Sequence, residues 1–580
     1  MNAASAVQCD VLVVGSGAAG LATAVTARVL GLDVLVVEKA PVFGGTTAWS
    51  GGWLWIPQSP PAVRAGITDS ISAARTYLQA ELGADFDAAR IDAFLTNGPR
   101  MVEFFENETA VRFLSGTAPD FHADLPGAAV GRPICAEPFD GRELGGLIDK
   151  LRLPLAEVSL RGMAIAAGSD LRHFMNATRV PASAWYAARR VARYALDVLR
   201  YGRGMHLVNG NALAARLLKS ASDRGVRLWT ESRARDLIVA NGAVTGAWIE
   251  TTQGRIAVST RRGVVLAAGG FPNDVARRRR WFPHTPTGNE HWSAAPAANT
   301  GDGLALAEDA GAVVPSLPNA GAWVAVSMVR RRDGTNGVFP HVIDRARPGV
   351  IAVTRRGRRF TNEANSYHDF MLAIFRATEP GDDVAAWLIC DHACLRRYGL
   401  GFAKPFPFPV APYLRSGYLL RGETPAALAN AAGIDAPAFA ETIDAYNVAA
   451  REGRDPAFGR GSTPFNRFGG DPAHQPNPCV APIEQGPFYA VKVLPGSLGT
   501  FAGVKTDADA RALDHGGEPI AGLYAVGNDM ASIMAGRYPS GGITLGPAMT
   551  FGWLAARHLA GDVDPPTAPS EANAIAAASH

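Results

Sequence analysis

The chain has 580 residues, more than one hydrophobic core usually supports, so two domains or more are expected. Hydrophobic residues make up 47% and charged residues 19%, a balance that excludes a disordered chain. The formal charge of +3 is too small to argue for nucleic acid as a partner, and five cysteines without a CxxC pair fit a reducing compartment, with the cytoplasm as the expected location.

Met1 to Gln8 lack the basic start and long apolar run of a secretory signal. Cys9 to Val14 is an apolar run expected as a buried strand. Gly15-Ser16-Gly17-Ala18-Ala19-Gly20 follows at once and opens a helix through Ala24 and Leu30. A second strand, Asp33 to Val37, ends in Glu38. Strand, glycine turn, helix, strand and acid form the dinucleotide-binding fingerprint in the context it needs. Gly15 makes the tight turn, Gly17 lets the backbone approach a pyrophosphate, and Gly20 lets helix and strand pack closely. The diphosphate is expected on the helix's unpaired N–H groups and positive end, with Glu38 accepting from a ribose diol. The glycine turn, Arg28 and Asp33 interrupt the apolar stretches, which therefore read as a Rossmann core and not a membrane span.

Lys39 to Gly52 follows, two glycine pairs bracketing hydroxyl residues. Its exposed N–H groups and small side chains suit a flat, phosphate-bearing cofactor. The candidate contacts here are Gly15, Gly17, Ala18, Ala19, Gly20, Glu38, Lys39, Gly45, Thr46, Thr47, Ser50, Gly51 and Gly52. Trp49, Trp53 and Trp55 add aromatic bulk, read first as core. Helices are expected over Ser70–Gly83 and Asp87–Phe105. The irregular, Pro- and Gly-rich stretch from Phe113 to Leu144 reads as a binding loop, with Phe113, Phe121 and His122 as pocket candidates. Pro181 to Tyr201 reads as a helix with a solvated basic face.

Ala212 to Arg224 is the next helix. Strands are expected over Val226–Glu231, Ala234–Asn241, Ala243–Thr251, Arg255–Ser259 and Val264–Ala268. The last of these ends in Gly269-Gly270 and has the character of a strand returning to the cofactor sheet, which makes Ala268 and Gly269 candidate contacts. Asn299 to Gly303 caps a helix through Ala310. From there to Pro478 no second dinucleotide fingerprint occurs. The expected organisation is a split α/β cofactor domain, 1–295 and 479–565, around an inserted α+β catalytic domain, 296–478, with a flexible tail at 566–580. In the returning part, Leu523 to Val526 is a strand that stops at Gly527-Asn528. A glycine-rich turn, Gly536 to Gly546, then leads into a long apolar helix. Such a turn directs N–H groups and a positive helix end at an electron-rich ring, which adds Gly527, Asn528, Gly542 and Leu545 as contacts.

The opening GSGAAG unit, Glu38 and the FGGTTAWSGG stretch resemble the flavoprotein family of fumarate reductases and 3-oxosteroid dehydrogenases, whose cofactor is FAD. Arg359 to Tyr367, Gly486 to Ala490 with Pro495 to Thr500, and Tyr538 to Gly552 look specifically like 3-oxosteroid 1-dehydrogenases. The resemblance implies that Tyr367 removes the proton alpha to a ketone. It also implies that Tyr538 and the Gly542 N–H bind the ketone oxygen, and that the beta hydride goes to flavin N5. A further tyrosine assists the base in that family. The matching stretch here, Pro119-Asp120-Phe121-His122-Ala123, lacks a phenol, and Phe121 or His122 fills the place.

The chemistry is reasonable on its own terms. A C–H beta to a ketone gives up hydride once the alpha carbon becomes nucleophilic, so a base and an oxyanion clamp are both needed. Tyrosine's reference pKa of about 10 requires help toward the tyrosinate. A dicarboxylate reductase would need clustered positive charge, whereas the C-terminal turn offers Tyr538, Pro539 and Ser540, and Arg356, Arg358 and Arg359 read as a solvated hairpin. The expected partners are a cyclic ketone and a quinone or other non-nicotinamide electron acceptor, without a metal or a transmembrane segment. A smaller ring such as cyclohexanone is the alternative substrate, and a non-catalytic flavin electron-transfer module is the alternative of another class.

Overall fold

The computed structural model describes residues 7–562, so the expected tail at 566–580 lies outside the described residues. The chain opens with β1 (Val7–Val14), α1 (Ala18–Val29) and β2 (Val34–Val37). β2 and the second half of β1 are wholly apolar and buried, as parallel strands covered on both faces must be. β3 (Trp53–Trp55) pairs with Pro133–Ala136 and buries Trp55 beneath the site. β4 (Arg227–Trp229) adds to the β2 edge.

β5 (Gly254–Leu266) is one continuous strand, although the sequence suggests two runs separated near Gly263. The glycine is needed for contact: a Cβ there would lie 2.7 Å from the Gly522 carbonyl oxygen. β5 pairs with β1 on one side and with a strand at Pro519–Ala525 on the other. Register aligns the ends of these strands, with Val14 opposite both Leu266 and Val37, and Leu266 opposite Ala525. The carboxyl ends of four parallel strands therefore open on one crevice, where ligands of such sheets bind.

A second sheet is built from β6 (Gly321–Arg330), Asn336–Pro340, Val350–Val353, β7 (Ala386–Asp391) and β8 (Phe488–Thr500). α2 (Tyr367–Ala377) packs on this sheet. Its Ser366 side chain accepts from the Asp369 N–H, a cap that fixes where the helix begins. β8 lies between β6 and β7, with Ala490 opposite Ile389 and Gly496 opposite Val324. Trp292–Ser293 also pairs with β8. These pairings correct the expected return at 479: residues 488–500 belong to the second sheet, and the chain rejoins the first only at Arg511–Leu513. An apolar strand satisfies either sheet, so its local pattern does not decide which one it enters. β9 (Pro519–Ala525) then leads through Gly527–Asp529 and the glycine-rich turn into α3 (Leu545–Ala560), which packs on α1.

The segment before Tyr367 is fastened by buried charge. Glu363 is fully buried and pairs with Arg359 and Arg460, and Arg359 reaches Asp455 as well. Arg356 and Arg358 are exposed as expected, but Arg359 is not part of a solvated hairpin. The carboxylates of Glu363 and Asp455 compensate its burial.

Candidate active site

The glycine turn is shaped by close approach. Gly15 has φ +111, and a Cβ on it would lie 2.2 Å from the Ala267 carbonyl oxygen, so the ends of β1 and β5 meet only with glycine there. Gly20 does not face the crevice. Its hypothetical Cβ would meet the Gly15 carbonyl oxygen at 2.1 Å, so it packs helix against turn and does not line the cavity. Gly17 is the opposite case: a Cβ would meet only Thr47 Oγ1, at 3.6 Å, and would otherwise project into open space.

That space is a cavity of about 1070 Å³. It runs past Gly15, Gly17, Ala18, Ala19, Glu38, Lys39, Gly45, Thr46, Thr47, Ser50, Gly51 and Gly52, then Ala268, Gly269, Gly527, Asn528, Gly542 and Leu545. Without a break it also reaches Tyr367 and Tyr538. Its volume passes the upper end for a single drug-sized ligand, about 1,000 Å³, and suits a long cofactor with a substrate beside it. An elongated crevice floored by backbone at Gly17 and closed by a helix N-terminus fits FAD.

Polar groups hold the loops around this crevice. Glu38 accepts from the Ser16 hydroxyl at 2.6 Å, from the Ser16 N–H and from the Ala40 N–H, and one face remains on the cavity. The Ala18 N–H donates to Thr47 Oγ1 at 2.9 Å, drawing the second loop against α1. Lys39 pairs with Asp302, which Arg233 also holds. Two residues outside the sequence-based candidate set organise the far wall. Asn299 donates to Thr46 Oγ1 and to the Gly269 carbonyl, and Asp529, fully buried, accepts from the Ala268 and Gly270 N–H groups. Burial pushes the Asp529 carboxyl up to about 6 against the pull of those two donors. A signal for Asp529 was present in the sequence, an acid two residues after the strand-ending Gly527, but its partners are remote in the chain.

Tyr367 and Tyr538 meet where the two sheets join. Their rings are 4.9 Å apart at 75°, and both side chains are buried. Tyr367 starts α2. Tyr538 is held by its neighbour Pro539, whose carbonyl accepts from the Tyr77 hydroxyl at 2.6 Å and from the Phe121 N–H at 2.9 Å. Burial raises Tyr367 well above the usual phenol range; Tyr538 adds to this and the Arg345 charge opposes it. Tyr538 is raised by burial and eased by Tyr367 and Thr544. Arg345 is thus a third residue that the sequence did not single out. Its guanidinium donates to the Glu363 and Asn365 carbonyls just ahead of Tyr367.

Gly542 sits at the start of α3 with φ +97, and a Cβ on it would be 2.6 Å from the Trp55 nitrogen. Its carbonyl accepts from the Trp55 N–H at 3.1 Å. The turn is therefore wedged against β3, with Gly541, Gly542, Thr544 and Leu545 on the cavity, and no side chain caps the helix. This leaves the positive helix end directed at the cavity.

The three loop candidates separate. Phe121 is in the cavity, stacked on Tyr538 at 5.8 Å and edge-on to Tyr367 at 5.6 Å, with Phe465 at 4.5 Å. Its position follows from Asp120, buried beneath it and bound by Trp55, Ala129 and Arg132. Phe113 is corrected to core: it is 3% exposed, and strand alternation turns its neighbour Leu114 to the cavity instead. His122 is also corrected, since it does not line the cavity. It is bound by Glu81 and, at 2.8 Å, by Asp369 of α2.

Burial opposes a charge on His122, but hydrogen bonds to Asp369 and Glu81 outweigh it and raise the imidazole to about 10. A group raised from 6.5 stabilises the fold fully below about pH 6.5 and loses that contribution as pH rises through about 10. The difference in melting temperature between wild type and His122→Asn should therefore be largest at pH 6 and shrink toward pH 10. Melting curves across that range check it, and a constant difference would exclude a charged His122.

Among the described residues no helix is long and apolar enough to cross a membrane, and no group of three or more His, Cys, Asp or Glu could hold a metal ion. A split α/β crevice with this glycine turn, acid and helix end defines an FAD-dependent oxidoreductase. The family described as FAD binding domain matches residues 10–545. The chain is 40% identical over 558 residues to the 4-oxocyclohex-2-ene-1-carboxylate 5-dehydrogenase of Sinomonas cyclohexanicum, covering 96% of this chain and 94% of that one. It is 36% identical over 579 residues to the 3-oxosteroid 1-dehydrogenase of Mycolicibacterium smegmatis, covering 95% and 97%. The crystal structure of 3-ketosteroid delta1-dehydrogenase from Sterolibacterium denitrificans, in complex with 1,4-androstadiene-3,17-dione, matches with a TM-score of 0.88 at 36% identity, over 96% of this chain and 100% of that one. The chain belongs to the FAD-binding oxidoreductase family that includes the 3-oxosteroid 1-dehydrogenases.

Proposed function

We propose that the chain desaturates a cyclic 3-ketone between its alpha and beta carbons, as a 3-oxosteroid 1-dehydrogenase does. The observation that carries this reading is the Tyr367–Tyr538 pair, buried at 4.9 Å on the wall of the cavity that also holds the glycine turn and the Gly542 helix end. Tyr538 and the Gly542 N–H bind the ketone oxygen and stabilise the negative charge that develops there. Tyr367 takes the alpha proton, with Arg345 lowering the penalty for the tyrosinate. Gly15, Gly17, Glu38, Thr47, Gly269 and Asn528 hold the cofactor. FAD, when bound, supplies the acceptor for the beta hydride. Phe121 gives its ring to the pocket and no proton, so assistance to the base comes from the Arg345 charge. A cyclohexanone-type ring is the second reading, favoured by the relative from Sinomonas cyclohexanicum and by the phenylalanine in place of a loop phenol. With FAD bound, a quinone or dye would serve as the electron acceptor, since the sequence has no second dinucleotide fingerprint for a nicotinamide. The unpaired state of all five cysteines supports a reducing compartment.

Phe121, Phe465, Phe468, Phe339 and Phe408 all line the cavity. Apolar burial contributes about 25 cal/mol per Å², so this wall should favour four fused rings over one. Anaerobic mixing with 4-androstene-3,17-dione should bleach the flavin faster than cyclohexanone does, giving a product two mass units lighter (about 2 Da, one H₂ removed across the bond). Rapid bleaching by cyclohexanone with none by the steroid would transfer the assignment to the small ring.

A further inference from the structure

The cavity wall nearest the second sheet carries four cations, Arg345, Arg347, Arg397 and Lys404, and two carboxylates, Asp344 and Asp471. The arginines are engaged by protein groups. Arg345 donates to backbone carbonyls of His341, Glu363 and Asn365, Arg347 donates to the Gly470 carbonyl, and Arg397 pairs with Asp471. Asp344 accepts from the Gly401 N–H and is bound to His341 at 2.7 Å.

Lys404 is different. Its backbone N–H donates to the Tyr413 hydroxyl, which fixes the main chain. Its ammonium makes no hydrogen bond or ion pair with a protein group among the described residues, and instead lies 5.7 Å from the Phe339 ring and 5.6 Å from the Phe402 ring. Burial lowers its proton affinity, and the Asp344 charge opposes this without forming an ion pair. An ammonium placed between aromatic faces on a ligand cavity, partly stripped of water and without a counter-ion, binds an anion with unusual advantage. The desolvation is already present in the fold, and the local charge is in positive excess. The pyrophosphate is assigned to the Gly17 end of this cavity. The Lys404 charge instead interacts with Asp344, whose neighbour Arg345 interacts with Tyr367, so the anion belongs to the molecule held at the ketone clamp.

We propose that Lys404 binds a carboxylate on the substrate, remote from its ketone, and that the enzyme prefers cyclic oxo acids to neutral cyclic ketones. This rests on the ketone reading above and adds the anionic end of the substrate to it. The carboxylate has two chemical sources, a single ring that bears it directly or a steroid side chain that ends in it.

The test pairs each acid with its uncharged methyl ester: 4-oxocyclohexanecarboxylate for the small ring and 3-oxochol-4-en-24-oate for the steroid. Dissociation constants are read by rapid anaerobic mixing, from the perturbation of the oxidised flavin spectrum that precedes any bleaching, in wild type, Lys404→Met and Lys404→Arg holoenzyme. Wild type should bind one of the acids at least about tenfold more tightly than its ester, and which acid does so identifies the source. Lys404→Met should weaken that acid on the order of 10- to 100-fold more than its ester, and Lys404→Arg should recover most of the loss. Equal weakening of acid and ester by Lys404→Met, or a wild type that does not distinguish either acid from its ester, would overturn the proposal. Bleaching that follows binding in the same traces is a separate readout, so an acid that binds through Lys404 without bleaching the flavin counts against the dehydrogenase reading and not against the anion site.

Discussion

Tyr367→Phe should lower the rate of substrate-driven flavin reduction by about 10²- to 10⁴-fold, the range general-base catalysis contributes, while a product ketone still binds. The phenylalanine keeps the ring that packs against Phe121 and Tyr538, so the change removes an oxygen and little else. Tyr538→Phe should act differently. It removes a donor to the ketone oxygen, so both reduction rate and ketone affinity fall, the rate by about 10²- to 10³-fold. The pH dependence separates the two roles. Burial holds Tyr367 neutral through the physiological range, so the wild-type reduction rate should climb with pH without a plateau below the usual phenol range. That alkaline limb should vanish in Tyr367→Phe. Anaerobic stopped-flow reduction across pH measures both effects, and an unchanged rate in Tyr367→Phe would exclude this residue as the base.

Gly17→Val should give a folded but colourless protein. Gly17 has φ −73, which valine adopts without strain, and its Cβ meets only Thr47 Oγ1 at an ordinary contact distance. The Cβ is therefore accommodated by the protein, and the side chain beyond it occupies the part of the crevice where a pyrophosphate must approach the backbone. Circular dichroism should match wild type while the flavin released on denaturation falls to a trace. Normal FAD occupancy in Gly17→Val would show that the pyrophosphate lies elsewhere. Gly15→Val is the contrasting variant: its Cβ would collide with Ala267 backbone, so it should fail to fold.

The cofactor half of this protein was legible from the chain itself because its determinants are local. A strand, a glycine turn, a helix and an acid within the first 38 residues specify their own geometry through backbone conformation and short-range packing. The resemblance carried by the motifs around Tyr367 and Tyr538 pointed to the two phenols that the fold then brings together, although they are far apart in sequence. Other features depended on partners that no local pattern reveals. β8 entered the second sheet, between β6 and β7, through pairings with strands remote in the chain that its own apolar pattern does not specify. Asp529 and Asn299 became organisers of the crevice because distant N–H and carbonyl groups converge on them. Phe121 entered the pocket and its neighbour His122 left it because buried Asp120 anchors one side of the loop while Glu81 and Asp369 bind the other. Nothing in the sequence marks out Lys404, and only the tertiary structure sets its ammonium near Phe339 and Phe402 on the cavity wall. Backbone-coded features travel with the residues that make them. Side-chain environments are set by whatever the fold packs around them, and that is a property of the whole chain.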